Sequence, residues 1–236
     1  WFRDHYQETS SAVFSTLGTM RMVRVNQEAG GLPTRNFQEG VFEGFEAISM
    51  ERMQETILVD RDTCYGCPVR CKFVVEVEDP QRPVQRRYGG PEYETTGAFG
   101  SCCGIDDLKA IAYANQVCNA NGLDTIGAGV SIAFAMECFE RGLIGLEETG
   151  GLELRFGNVE AMLTLLEQMV RGEGLGALLA NGSRRAAQQI GRGADQYAVQ
   201  VKGQEVAMHD PRVKYGHAIG LGVSPTGADH MHNVHD

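Results

Sequence analysis

The feature of this sequence that most constrains its fold is a set of segments in which apolar residues recur at helical spacing, each followed by a glycine. The segments are 106–121, 127–141, 159–171 and 176–190, and the glycines are Gly122, Gly142, Gly172 and Gly191. A glycine in that place takes the left-handed conformation that ends many α-helices. Asp106 and Asp107 suit the N-cap and first turn of the first segment. The pattern predicts a mostly α-helical fold.

Two further elements are predicted on either side of the cysteines at 64–71. The amphipathic pattern that precedes them predicts a helix from Glu43 to Glu55. The β-branched residues that follow, from Phe73 to Val77, predict a short strand that ends at the turn Asp79-Pro80. We therefore expect a few short strands and loops beside the helices.

Composition limits the class of protein. The 236 residues, 42% of them hydrophobic, are enough to bury one substantial core or two modest ones. No apolar run approaches the ~20 residues that cross a bilayer, and a net charge of −10 argues against nucleic acid as a partner. The chain begins Trp1-Phe2, with neither an initiating Met nor a signal peptide, so we expect it to be cut from a longer protein. An odd number of cysteines without a secretion signal predicts a reducing, cytoplasmic location.

The strongest local signal for chemistry is the cysteine motif Cys64-Tyr-Gly-Cys67-Pro-Val-Arg-Cys71. Three thiolates in one short loop can wrap around one face of an iron–sulfur cluster. The alternative is a structural zinc site, which more often shows two separated pairs of ligands. The motif therefore predicts a cluster held by Cys64, Cys67 and Cys71.

A four-iron cluster normally needs a fourth thiolate, and the motif supplies only three. Cys118 and Cys138 lie on apolar stripes of predicted helices and are interpreted as small core residues. Cys102 and Cys103, in a Gly-Ser-Cys-Cys-Gly turn, remain candidates, and so does a ligand beyond the end of the chain.

Three other segments carry polar groups that suit a cofactor or substrate. If residues 89–96 are extended, the carboxylates of Glu92 and Glu94 point the same way and could move protons, although a solvated acidic loop is the simpler interpretation. Residues 119–125 are explained by a helix end, but could also contact a polar cofactor. His230 and His232 could shuttle protons or bind metal, and a surface pair is at least as plausible.

The order of the short motifs resembles the tungsten-containing aldehyde ferredoxin oxidoreductase family. The matching landmarks are Gly31-Leu-Pro-Thr-Arg-Asn-Phe37, Cys64-x2-Cys67-Pro-x2-Cys71, Gly90-Pro-Glu-Tyr-Glu-Thr95, Gly122-Leu-Asp-Thr-Ile126, Ala133-Phe-Ala-Met-Glu-Cys138, Val201-Lys-Gly203, Asp210-Pro-Arg212 and Asp229-His230. Their order across almost the whole chain is more specific than any one of them.

The resemblance implies an enzyme that oxidises small aldehydes to carboxylic acids at a tungsten bis-pterin cofactor and passes the electrons through a 4Fe-4S cluster to ferredoxin. It implies that Cys64, Cys67 and Cys71 are cluster ligands, and that Glu94 and His230 are proton-transfer groups near tungsten. It also places Asn119, Gly122, Leu123 and Asp124 on one pterin-binding loop, where Asn119 replaces the usual aspartate. A homodimer is also expected.

The same resemblance implies a helical middle domain at 1–200 and the truncated start of a C-terminal domain at 201–236. The family's N-terminal β domain and second pterin loop have no counterpart in these residues, so we expect the chain alone to hold no tungsten and to be inactive. Two other functions stay open. One is a related tungsten enzyme with another substrate, such as an aryl-CoA reductase subunit, and the other is a non-catalytic iron–sulfur or zinc module.

Overall fold

The computed structural model describes residues 1–9 and 11–232 and is mostly α-helical, as predicted. Its α-helices are α1 (Phe2–His5), α2 (Ala12–Leu17), α3 (Arg21–Glu28), α4 (Met50–Thr56), α5 (Tyr93–Phe99), α6 (Leu108–Asn121), α7 (Thr125–Glu140), α8 (Val159–Arg171), α9 (Gly174–Leu179), α10 (Ser183–Ile190) and α11 (Tyr215–Val223). None of these helices combines the length and apolar character needed to cross a membrane, as far as the described residues go.

The strands form two small antiparallel pairs. β1 (Leu58–Asp62) pairs with β2 (Lys72–Val75), and β3 (Gln200–Val201) pairs with β4 (Gln204–Glu205). The predicted strand at 73–77 is therefore confirmed as β2, which begins one residue earlier and ends at Val75. The loop between β1 and β2 carries the cysteine motif.

Capping residues fix the ends of the helices predicted at 106–121 and 159–171. The side chain of Asp107 accepts hydrogen bonds from the amides of Lys109 and Ala110 at the start of α6, and Gly122 ends it with a φ of +70°. α8 runs over the predicted residues and ends at Gly172, whose φ is +67°. Both helices thus end where the sequence chemistry predicts.

Two predicted helices are interrupted in the structure. The segment predicted from Glu43 to Glu55 forms a 3-10 helix at Phe45–Ile48, and α4 begins only at Met50, because extended Ser49 caps it through a bond from the amide of Arg52. The segment predicted at 176–190 is divided into α9 and α10 at Gly182, which has a φ of +86°. The Glu205 carboxylate, distant in sequence, caps α10 by accepting from the Ser183 amide at 2.7 Å.

The core forms around α7, whose residues from Ala128 to Cys138 are buried. α7 packs against α5, α8, α9 and α10. Gly129 permits the contact with α5, since a Cβ there would come within 2.7 Å of the Ala98 Cβ. The apolar helix α7 therefore holds α5, and with it Glu94, in a fixed place. The predicted domain division at residue 200 stays a prediction, and residues 233–236 of the second part lie outside the described chain.

Candidate active site and cluster site

The cysteine motif lies in an open turn between β1 and β2. The amide of Cys67 donates to the Cys64 carbonyl at 3.0 Å, and the Thr63 hydroxyl donates to the Cys67 carbonyl at 2.7 Å. Gly66 has a φ of +72°, a conformation that suits glycine. Cys64 is exposed, and Cys67 and Cys71 are half-buried. The turn therefore carries three thiols at or near the surface, where a metal group could reach them, but their sulfur atoms do not all lie within 4.8 Å of one another.

The negative charges around this loop also favour a bound cation. Burial, followed by the nearby Glu92 carboxylate, raises the pKa of the Cys71 thiol above its usual value. The negative charges of Cys64 and Cys67 act in the same direction. Iron cations would relieve this repulsion and prefer thiolate ligands, so the donor set fits an iron–sulfur cluster.

The remaining cysteines have core roles. Burial raises the pKa of Cys102, Cys118 and Cys138 to about 12. Cys103 is fully buried and its thiol donates to the Ala98 carbonyl at 3.3 Å. The core interpretation of Cys118 and Cys138 agrees with their burial, and nothing about Cys102 or Cys103 supports a role as fourth cluster ligand.

Glu94 lies in the first turn of α5, so the segment is extended only as far as Glu92 and the carboxylates do not share an extended strand. Glu92 is the N-cap residue and has an extended backbone, so the helix begins at Tyr93. The carboxylate of Glu92 accepts from the Thr19 hydroxyl, whereas that of Glu94 accepts from the Met208 amide at 2.7 Å. The two carboxylates therefore have different partners and do not act as a pair.

Glu94 meets two histidines. Its Oε1 atom lies 2.8 Å from Nε2 of His209 and 4.0 Å from Nε2 of His230. Burial pushes the pKa of Glu94 up, but the hydrogen bond and charge of His209, the Met208 amide and His230 outweigh it and hold the pKa below its ordinary value. Glu94 is thus a half-buried carboxylate kept ionised by its neighbours.

His209 is the residue of this site that the sequence did not reveal. It is buried, and its ring lies near Tyr93, His217 and His230 at centroid distances of 5.5, 5.7 and 5.7 Å. The signal that could have found it is the apolar run from Val206 to Met208 directly before it, which predicts burial. The side chain of His232 lies outside the described residues.

Glu94 and His230 border a cleft of about 540 Å³ that Asn119 also lines. Asn119 donates from Nδ2 to the Tyr88 carbonyl at 3.0 Å. Leu123 and Asp124 instead line a separate cavity of about 260 Å³, and Gly122 is the C-cap of α6. The predicted pterin loop is therefore divided, with only its first residue beside Glu94.

Comparison with known proteins identifies the family. The profile described as "Aldehyde ferredoxin oxidoreductase, domains 2 & 3" matches residues 1–235. The chain belongs to the aldehyde ferredoxin oxidoreductase family. This confirms the resemblance drawn from the motifs, and with it an oxidoreductase ancestry.

Members of the aldehyde ferredoxin oxidoreductase family show how much of the whole protein is present. The "Tungsten-containing aldehyde ferredoxin oxidoreductase" of Pyrococcus abyssi is 38% identical over 91% of this chain and 35% of its own length. The "Aliphatic sulfonate oxidoreductase, WOR-like subunit" of Pyrococcus furiosus is 33% identical over 87% of the chain and 34% of its own length. The chain thus spans about 35% of the curated relatives it matches.

A solved structure is similar in fold. It is titled "Active site complex BamBC of Benzoyl Coenzyme A reductase in complex with 1,5 Dienoyl-CoA", with a TM-score of 0.60 and 27% identity. The similarity covers 80% of this chain and 29% of that one. This chain is therefore similar to parts of proteins that are named for three different substrates.

Proposed function

We propose that the full-length protein is a tungstopterin iron–sulfur oxidoreductase that oxidises aldehydes to carboxylic acids, with ferredoxin or a similar carrier as electron acceptor. Family membership and the 38% identity to an enzyme of that name support the proposal. The observation that carries it is the cluster of Glu94, His209 and His230 at the edge of a cleft. A carboxylate and imidazoles are side chains that can accept the protons which such an oxidation releases.

Cofactor binding is assigned to two loops. Cys64, Cys67 and Cys71 would hold the 4Fe-4S cluster, with a fourth ligand from the part of the full-length protein that this chain does not cover. The loop from Asn119 to Asp124 would contact one pterin, and Asn119, whose Nδ2 is used by Tyr88, would offer its amide oxygen. When bound, the tungsten bis-pterin would supply two-electron oxidation and the cluster single-electron transfer.

Proton transfer is assigned to two side chains, Glu94 and His230. Conversion of an aldehyde and water to a carboxylic acid releases two electrons and two protons. Glu94 is kept ionised by His209, so its Oε1 atom can accept a proton near neutral pH. His230, which is more exposed than His209 and borders the cleft, would pass the proton towards solvent.

The test is Glu94→Gln in the full-length protein. The amide keeps the size of the side chain and can still accept from the Met208 amide, but it cannot take up a proton. We expect kcat for aldehydes to fall about 100-fold or more, with iron and tungsten contents unchanged. Glu78→Gln, at an exposed carboxylate, is the control that should keep full activity. Unchanged turnover in Glu94→Gln would remove Glu94 from the mechanism.

A second candidate is a tungsten enzyme of the same family that acts on a thioester. The similarity to a solved reductase complex favours it, since that protein is 27% identical over 80% of this chain. An activity screen with aldehydes and aryl-CoA thioesters on the full-length protein separates the two functions. Absence of pterin from that protein would contradict both and leave a non-catalytic iron–sulfur or zinc module.

A further inference from the structure

Three side chains of the site bring metal-binding atoms together. Glu94, His209 and His230 each offer one ligand atom, and these atoms all lie within 4.8 Å of one another. Two of the separations are those from Oε1 of Glu94, at 2.8 Å to His209 and 4.0 Å to His230. Among the described residues, no other group of three or more His, Cys, Asp or Glu meets this distance. Small rotations of the imidazoles would place all three around one ion.

The carboxylate is already oriented for this arrangement. The amide of Met208 donates to Oε2 of Glu94 at 2.7 Å, which leaves Oε1 directed at the two rings. Met208 is itself fixed, because its carbonyl accepts from the Tyr93 hydroxyl, and that hydroxyl accepts from Asn26 at 2.6 Å. Hydrogen bonds that fix a ligating carboxylate from behind are typical of protein metal sites.

An ion could reach the cluster from the cleft. The side chains of Glu94 and His230 are 17% and 22% exposed and both line the cleft of about 540 Å³, whereas His209 behind them is 9% exposed. Asp62 and Glu92 line the same cleft, opposed by Lys72 and Arg87, so with Glu94 its carboxylates outnumber its cationic side chains. The local charge therefore does not repel a divalent cation.

We propose that Glu94, His209 and His230 form a binding site for a divalent transition-metal ion. Two imidazoles and one carboxylate suit Fe²⁺, Co²⁺ or Zn²⁺, with manganese bound more weakly, and the remaining positions would be taken by water from the cleft. Such an ion would occupy the atoms to which the proposed function assigns proton transfer. Binding of metal would therefore inhibit that function, but the site itself does not depend on it.

Manganese is the probe that best separates this site from the cysteine loop, because Mn²⁺ prefers oxygen and nitrogen ligands over thiolates. The full-length protein is first dialysed against EDTA, which removes ions that bind the site more tightly than manganese, and is then titrated with Mn²⁺ while free ion is measured by room-temperature EPR. We expect a specific Mn²⁺ site in each chain, from which Zn²⁺ displaces the ion because it binds such ligands more tightly. Absence of a saturable Mn²⁺ site would overturn the proposal.

Substitutions assign the site. Glu94→Gln and His209→Asn should each weaken Mn²⁺ binding at least roughly tenfold, since each removes a ligand. His217→Asn is the matched control, because its imidazole packs against His209 but lies outside the group of three. Equal loss in His217→Asn and His209→Asn would show that packing is responsible and would overturn the assignment. Wild-type affinity in Glu94→Gln would do the same.

A measurement on the wild-type protein guards against misfolded variants. X-ray absorption of the bound manganese should show a shell of oxygen and nitrogen with two imidazoles. A shell that contains sulfur, or carboxylate oxygen without imidazole, would contradict the site. Because none of these readouts uses turnover, loss of aldehyde oxidation as a function would leave the metal site standing, and the reverse also holds.

Discussion

The Nε2 atom of His209 lies 2.8 Å from Oε1 of Glu94, and these two residues come from distant parts of the chain. Glu94 is in the first turn of α5, whereas His209 follows β4 in an irregular segment. The segment that carries His209 is also held by Arg212, which pairs with the fully buried Asp210 at 2.6 Å and donates to the Phe37 carbonyl. The site is therefore made where the C-terminal part of the chain packs against α5.

The Asp210–Arg212 pair should contribute measurably to stability. Arg212→Ala leaves a buried carboxylate without its cation and removes the bond from Arg212 to the Phe37 carbonyl. We expect the free energy of unfolding to fall by about 1–3 kcal/mol, in urea denaturation of the chain. Arg171→Ala, which removes exposed ion pairs, should cost less than about 1 kcal/mol. Equal effects of the two substitutions would contradict a structural role for the pair.

The cysteines should separate into two reactivity classes. Cys64, Cys67 and Cys71 lie in an open loop, whereas burial raises the pKa of Cys102, Cys118 and Cys138 to about 12 and that of Cys103 well above its usual value. Without bound metal, iodoacetamide at pH 8 should modify the three loop cysteines before the core cysteines, because the loop is accessible and the thiolate is the reactive form. Cys71 should react more slowly than the exposed Cys64, since burial raises the pKa of its thiol. Mass spectrometry of tryptic peptides measures this. Early modification of Cys102 or Cys103 would contradict their place in the core.

Reconstitution distinguishes a cluster from zinc at the cysteine loop. Anaerobic incubation of the full-length protein with iron and sulfide should yield bound iron and acid-labile sulfide, because three thiolates favour a cluster. A variant with serine at positions 64, 67 and 71 should bind neither, whereas Cys118→Ser, in the core, should behave as wild type. Zinc bound in place of iron and sulfide would favour the structural alternative.

Gly129 should not tolerate a larger residue. In Gly129→Ala the new Cβ would come within 2.7 Å of the Ala98 Cβ, so α5 and α7 would have to separate. We expect a loss of about 1–3 kcal/mol in the free energy of unfolding. Gly222→Ala is the control, since nothing lies within 4 Å of a Cβ there and α11 should gain helix propensity. A neutral Gly129→Ala would show that the contact between α5 and α7 can relax.

The N-cap of α6 can be tested with neighbouring aspartates. Asp107→Ala removes the acceptor of the bonds from Lys109 and Ala110 and should cost about 1 kcal/mol in unfolding free energy. Asp106→Ala changes the adjacent exposed carboxylate, which is not the N-cap, and should be close to neutral. Thermal unfolding of the two variants gives the comparison. A larger loss of unfolding free energy in Asp106→Ala than in Asp107→Ala would show that Asp107 is not the N-cap.

The sequence by itself determined the helical class, the ends of α6 and α8, and the cysteine loop. Each of these depends on neighbours in sequence: an aspartate that caps its own helix, a glycine that accepts positive φ, or thiols a few residues apart. The order of short motifs also identified the family, because it samples almost the whole chain. The caps, the glycines and the thiols can therefore be predicted from short stretches of sequence.

Only the tertiary structure decided the rest. The division of α9 from α10 depends on Glu205, which caps α10 from a distant strand. The different partners of Glu92 and Glu94 follow from the start of α5, and the role of His209 follows from the packing of its segment on that helix. Periodicity describes which face of a segment is apolar but not which segment covers it. A half-buried carboxylate and its imidazole partners therefore become a site only when the chain folds.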